Sequence, residues 1–501
     1  MRPTVSYALL TGLLTVSACV RALPHDGPAT GSATGPLTHG VMAGEVTPSR
    51  AVVWARCAEP AEVTVVCRTG ATADTLSAVA RTAPERDLTA HVVLEHLQPA
   101  RTYRCSVRCR RDRGADTGSG AVELTFATAP APDTPAPVRF AWGGDVGGQN
   151  VCRDRDLGYP AFNTLAAQRP DFFVALGDMI YADDPCRAVG RYGNQQIPGP
   201  PAATSLPAFW AAWRYNREDP AFRSFAATTP YYAVWDDHEV ANDFGPHHDT
   251  GQPDTNPGQR HLLPPGLQAF LDYNPFPPDT DTSHTLYRTV RWGRHVELFL
   301  LDTRQYRDAN VATDSAAQPK SMLGAAQRAW LEERLRASGA TWKIIVTSVP
   351  LAIPTGNPRR GRDGWANFDQ STGFEHELLA LLRFMQRHGV RNHLWISTDV
   401  HFSAVFRHAP FADDPSFRFY EVDTGPLHAG VFPKQEFDTT LRPERAFLFP
   451  STCDANADFR TAQTWFTFGE IRIDEAGVLT VDVVNTPGER LFTLRLPPAS
   501  A

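Results

Sequence analysis

Asp171-Phe172-Phe173-Val174-Ala175-Leu176-Gly177-Asp178-Met179-Ile180-Tyr181 is the stretch on which the reading of this chain turns. Its first half is an apolar burst bounded by polar residues, which reads as a buried strand of an α/β sheet. The strand stops at Gly177 and a carboxylate follows at once. Carboxylates just past the C-terminal ends of buried strands sit where α/β folds bind ligands. One such Asp is weak, because Asp is also an ordinary cap or turn residue. Here the pattern recurs. Ala141-Trp142-Gly143-Gly144 ends in Asp145, and Tyr232-Ala233-Val234-Trp235 runs into Asp236-Asp237-His238-Glu239. Leu394-Trp395-Ile396-Ser397-Thr398 runs into Asp399-Val400-His401. Oxygen and imidazole ligands converging on one sheet edge suit a pair of hard or borderline cations.

These runs resemble the PhoD-like alkaline phosphatases and phosphodiesterases, within the calcineurin-like and purple-acid-phosphatase-like metallophosphoesterases. The resemblance rests on Leu-Gly-Asp-x-x-Tyr (176–181), Trp-Asp-Asp-His-Glu-Val-x-Asn (235–242), Leu-Asp-Thr-Arg-Gln-Tyr-Arg (301–307), Asp-Val-His (399–401) and Gly-Pro-Leu-His-Ala-Gly (425–430). It implies an α/β sandwich of metallophosphoesterase type, preceded by a small all-β domain of fibronectin or immunoglobulin type. It also implies hydrolysis of phosphoric esters. Small phosphate esters, phosphodiesters and phospholipid head groups are the expected substrates, and a phospholipase-D-like activity is the alternative. A catalytically degenerate surface binding protein is a further alternative. The six residues Asp145, Asp178, Asp237, His238, Asp399 and His401, all present, argue against it.

The net charge of −7 offers no basic patch for nucleic acid or an anionic membrane. Residues 1–18 carry Arg2, a short apolar core and a Val16-Ser17-Ala18-Cys19 ending, which reads as an export signal with a lipobox-like end at Cys19. The reading is therefore an exported protein, periplasmic or extracellular, whose one route to a membrane is a lipid on Cys19. Export permits disulfides. Cys105 and Cys109, four apart on one strand, are too far apart to join each other, so bonds to Cys57 and Cys67 are expected.

Residues 19–37 read as a flexible tether, 38–128 as a β-sandwich of short strands, 129–137 as a Pro-rich linker and 138–501 as the catalytic domain. In that last part, helical periodicity at 161–168, 206–215, 327–337 and 375–388 alternates with strands such as 296–301 and 342–346. Residues 245–266, rich in Gly, Pro, His and Asp, read as a long loop, either a lid or disordered.

Phosphoesters resist anionic nucleophiles, and two metals about 3.5–4 Å apart relieve this by polarising the ester and producing hydroxide from water. On the family pattern, Asp178 bridges the two ions. Asp145, His401 and Tyr181 complete the first, and Asp237, Asp399 and Asn242 hold the second. The resemblance implies a binuclear or larger centre, in which a Tyr ligand favours Fe³⁺ beside a divalent ion (Ca²⁺, Mn²⁺, Mg²⁺ or Zn²⁺). Asp145 stands where the family often carries a cysteine. Thr347-Ser348 stands where metallophosphatases usually have a His, which makes the second ion's surroundings oxygen-rich. His238 is expected to be the general acid, oriented by Glu239. Arg304 is expected either to clamp a phosphate oxygen or to pair with a carboxylate.

Overall fold

Val138–Gly143, Phe172–Leu176 and Tyr231–Val234 are adjacent parallel strands at the centre of a nine-stranded sheet. Val296–Leu300, Trp342–Val346, His393–Ser397 and Phe419–Asp423 run side by side and parallel in a seven-stranded sheet. These elements come from a computed structural model that describes residues 37–70, 75–110, 120–246, 259–357 and 361–499. The expected leader, Cys19 and the tether up to residue 36 lie outside the described residues, as do residues 247–258 of the long loop.

Side chains of a strand alternate between faces, and here both faces are buried. Phe172, Val174 and Leu176 join Leu298, Leu300, Ile344, Val346, Leu394 and Ile396 in one core between the two sheets. Phe173 and Ala175, the residues between, pack instead with the helices Ala161–Gln168, Leu206–Arg217, Pro220–Ala226 and Leu263–Tyr273. On the other side Phe299, Ile345 and Trp395 pack with Gly324–Ala337 and Glu375–Arg387. The unbroken apolar runs of the sequence are strands sandwiched in this way, in a helix–sheet–sheet–helix stack. The helices expected from periodicity are present, with ends shifted by up to three residues.

The described residues of 37–127 carry β strands, as expected, with one short 3₁₀ turn at Pro84–Arg86, and the strands divide between two sheets. Leu37–Gly44, Ala51–Cys57 and Thr89–Leu94 extend the nine-stranded sheet, through the parallel partner pair Gly44 and Tyr231. They cover what would otherwise be an open edge at the buried strand Tyr231–Val234. Thr75–Arg81, Glu62–Thr69, Thr102–Arg110 and Val122–Ala127 form a separate four-stranded antiparallel sheet. Cys67–Cys105 links two neighbouring strands of that sheet, and Cys57–Cys109 ties it to the nine-stranded one. A third disulfide, Cys152–Cys186, lies beside the strand ends discussed next, and Cys453 is free and exposed.

Candidate metal centre

Five of the candidate ligands stand on turns just past the C-terminal ends of strands. Asp145 follows Val138–Gly143, Asp178 follows Phe172–Leu176, and Asp237 follows Tyr231–Val234, all in one sheet. Asp399 and His401 follow His393–Ser397 in the other sheet. The Thr398 hydroxyl donates to the Leu176 carbonyl at 2.6 Å, so the two rims touch where the ligands gather. Asp145, Asp178, Asp243, Asp399 and His401 all have left-handed backbone, with φ of 60°, 52°, 57°, 76° and 61°. Asp and His tolerate this conformation better than most residues, and such strain, about 1–3 kcal/mol each, concentrates at functional sites. Two glycines make room. A Cβ on Gly144 would lie 2.5 Å from the Gly177 carbonyl, and one on Gly148 would lie 2.4 Å from the Tyr181 ring.

One donor atom each from Asp145, Asp178 and His401 lies within 4.8 Å of the others, and the same holds for Asp178, Asp237 and His238. Asp178 belongs to both groups. Both carboxylate oxygens of Asp145, Oδ1 of Asp237 and Oδ2 of Asp399 are buried with no hydrogen-bond partner. Burial first, and then neighbouring carboxylates, push Asp145, Asp178 and Asp399 well above the usual carboxylate range. Buried orphan oxygens are costly, and bound cations would give these oxygens partners and reverse the shift. The site therefore fits a metal pair, with donors of carboxylate, imidazole and phenol type.

His401 Nδ1 lies 2.5 Å from the Gly430 carbonyl, which can only accept. Nδ1 therefore carries the proton and Nε2 is left as an acceptor, the arrangement of a metal-ligating His. Burial pushes this imidazole down to about 3, so it is neutral, as a ligand must be. The Tyr181 hydroxyl lies 2.9 Å from that Nε2. Burial, with Asp178 and Asp145 beside it, raises the phenol well above its ordinary value.

His238 is held from two sides. Its backbone N–H donates to Asp178 Oδ1 at 3.1 Å, and its Nδ1 lies 2.6 Å from Asp183 Oδ1. Its ring rests on Tyr181, with centroids 4.1 Å apart. Burial alone would lower this imidazole, but Asp183, Asp237 and Asp178 outweigh it and hold the group well above its ordinary value.

Two expectations, on Glu239 and Asn242, need correction, and the two-way expectation for Arg304 falls to its carboxylate branch. Glu239 does not orient His238; its carboxylate accepts from the backbone N–H groups of Asp178, Met179 and Asp236 at 2.8–3.1 Å, which joins two ligand turns. Asp183 is the partner of the His238 ring. Arg304 is not placed to clamp phosphate. It is fully buried, and it donates to Asp236 (2.6 Å), to both oxygens of Asp363 (2.8 Å each) and to the Phe244 carbonyl (3.1 Å). Arg307 is likewise buried against Asp363. Asn242 is exposed, and its backbone N–H donates to Asp183 Oδ2 at 2.8 Å. The next residue, Asp243, is the one grouped with Asp237, together with Asp363.

Ser348, after the strand Trp342–Val346, hydrogen-bonds Asp236, so an oxygen and not an imidazole occupies that position. His428 packs behind the site, buried, with its backbone N–H on the Asp145 carbonyl and Nε2 3.0 Å from the Cys152 carbonyl. Sequence reasoning passed over Asp183 as a partner and missed Asp243 and Asp363. The first two adjoin recognised motifs and so were within reach. Asp363, in Gly361-Arg362-Asp363-Gly364, has no local pattern to mark it.

Two stacked sheets whose parallel strands deliver acids and a histidine to a shared rim define the metallophosphoesterase architecture. The family model described as PhoD-like phosphatase matches residues 140–476, and the model for the PhoD-like phosphatase N-terminal domain matches residues 22–122. The chain belongs to the PhoD-like phosphatase family. It is similar to alkaline phosphatase D of Bacillus subtilis (strain 168), 25% identical over 298 residues, or 55% of this chain. That match spans 48%, about half, of the relative's length. A solved structure of PhoD matches with a TM-score of 0.72 at 18% identity, covering 94% of each chain. The purple acid phosphatase PPD1 from yellow lupin seeds matches with a TM-score of 0.61 at 14% identity, covering 92% of this chain and 74% of that one. At these identities the structural likeness concerns the fold.

Proposed function

We propose that the protein is an exported, metal-dependent hydrolase of phosphoric monoesters and diesters. The observation that carries this reading is the set of buried, unpartnered carboxylate oxygens on Asp145, Asp237 and Asp399, the first two of which are each grouped with Asp178. Asp178 would serve both ions, with Asp145, His401 and Tyr181 to hold one and Asp237 and Asp399 to hold the other. Asn242, exposed, is not required for this set. When bound there, two cations would withdraw charge from the phosphoryl oxygens and make water acidic enough to serve as the nucleophile near neutral pH.

His238 donates a proton to the leaving oxygen, Asp183 holds its ring, and Glu239 locks the turns that carry Asp178 and Asp237. Arg304 offsets the charge of Asp236 and Asp363 behind the ligands. The phenol beside His401 argues for Fe³⁺ at the first position and a divalent ion (Ca²⁺, Mn²⁺, Mg²⁺ or Zn²⁺) at the oxygen-rich second. Three disulfides suit an oxidising compartment, which supports export. Among the described residues no helix is long and apolar enough to cross a membrane; a lipid on Cys19 would be the tether. Residues 38–128 then serve as a leading β domain, joined by 129–137 to a catalytic region of 138–501.

Metal analysis of the purified protein beside assays on a monoester and a diester tests the proposal. The expected result is metal-dependent turnover with iron present, and a visible charge-transfer band that Tyr181→Phe removes. A metal-loaded protein that hydrolyses neither ester contradicts the activity; iron without the band contradicts the tyrosine ligand.

A further inference from the structure

The buried arginines of the centre are committed to carboxylates, so a cation facing the substrate must come from elsewhere. Lys434 gives one N–H to the Pro354 carbonyl at 2.6 Å and is drawn toward the carboxylates Asp399 and Asp243 of the centre. Arg191 is different. It is exposed, and among the described residues its guanidinium has no carboxylate partner. The guanidinium carbon stands 4.8 Å from the ring centroid of Phe432. That ring in turn stands 5.5 Å from the ring of His401. Phe432 is 39% exposed, so the ring and the guanidinium over it both reach solvent beside a candidate metal ligand.

The turn carrying Arg191 is fixed in place. The Gly190 N–H donates to the Asn194 carbonyl at 2.9 Å, and the Arg191 N–H donates to the Asn150 carbonyl at 2.8 Å. Tyr192 is buried against Val151, Val431 and Phe466, and the Cys152–Cys186 bond ties the same loop to the Asp145 side of the site. A guanidinium laid over an aromatic ring keeps its N–H edges free for an anion, and the ring holds it in one orientation.

We infer that Arg191, supported by Phe432, forms a subsite beside the metal centre for a second anionic group on the organic part of the substrate. This rests on the phosphoesterase reading above. Phe432 stands between the Arg191 guanidinium and the His401 imidazole, an arrangement that suits a charge farther along the ester better than the phosphoryl group held at the ligands. The preferred substrates are then esters with a second phosphate or carboxylate, ahead of simple alkyl phosphates.

The test uses the metal-loaded full chain and two non-hydrolysable probes, propylphosphonate and propane-1,3-diylbisphosphonate. Calorimetry should show the second probe binding about tenfold tighter, beyond the statistical gain of its two equivalent ends, through charge-assisted hydrogen bonds to Arg191. Arg191→Gln should remove that preference, Phe432→Ala should reduce it, and Phe432→Tyr should keep it. An equal preference in the wild type and Arg191→Gln overturns the subsite. Hydrolysis of either propyl phosphate or propane-1,3-diyl bisphosphate by the same wild-type sample is measured in parallel. If it is absent while the Arg191-dependent preference is present, the phosphoesterase reading fails and the anion subsite stands.

Discussion

His238 touches Asp178 through its backbone and Asp183 through Nδ1, which leaves Nε2 for the proton-donor role proposed above. His238→Ala is expected to keep its metals and lose turnover by roughly 10²–10⁴-fold on an ester with a poor leaving group. The loss should shrink on a nitrophenyl ester, whose leaving group departs without a proton. Equal losses on both esters would mean that the imidazole stabilises the phosphoryl oxygens, and a loss of metal would make it a ligand. Arg304 gives a contrasting case. Removing it leaves Asp236 and Asp363 buried without their counter-charge. Arg304→Leu should therefore cost about 3–5 kcal/mol in denaturant unfolding. Unchanged stability with a raised KM would restore the phosphate clamp. The ligands themselves were legible because Asp145, Asp178, Asp237, Asp399 and His401 each lie within five residues of an apolar run's end. Arg304 was not, because an arginine aimed at phosphate and one aimed at Asp363, 59 residues away, look alike in sequence. The same holds for the Asp183–His238 pair, 55 residues apart.

The central strands were readable as elements because each is apolar on both faces, and the helices because one face is. Sheet membership was not readable. Leu37–Gly44 looks like any sandwich strand, and what places it in the nine-stranded sheet is a partner nearly two hundred residues on, Tyr231. The loop from Asp183 onward has almost no regular structure, and its shape depends on tethers: Cys152–Cys186, Asn150 to Val189 and Arg191, and the Gln196 side chain on Cys152 and Arg187. The disulfide closes a loop with a sequence separation of 34. On chain-entropy grounds its removal should cost about 3–4 kcal/mol. The double variant Cys152→Ser/Cys186→Ser is expected to unfold at correspondingly lower denaturant and to be cut by protease first between 183 and 207. Unchanged stability and an unchanged cleavage pattern would show that the hydrogen bonds alone hold the loop.

On the scale of the whole molecule, the site exists only because two sheets stack. Asp145, Asp178 and Asp237 come from one rim and Asp399 and His401 from the other, joined by Thr398 on Leu176. The apolar residues between the sheets hold the rims in register, and the ligands' buried charge is what that packing would have to overcome without cations. The account stands or falls on one carboxylate serving both ions. The most direct measurement is the metal content of purified wild type and Asp178→Asn, taken with ester hydrolysis on the same samples. The account predicts two or more ions per wild-type chain, with both positions depleted and activity abolished in the variant. A variant that retains full metal and turnover would contradict it.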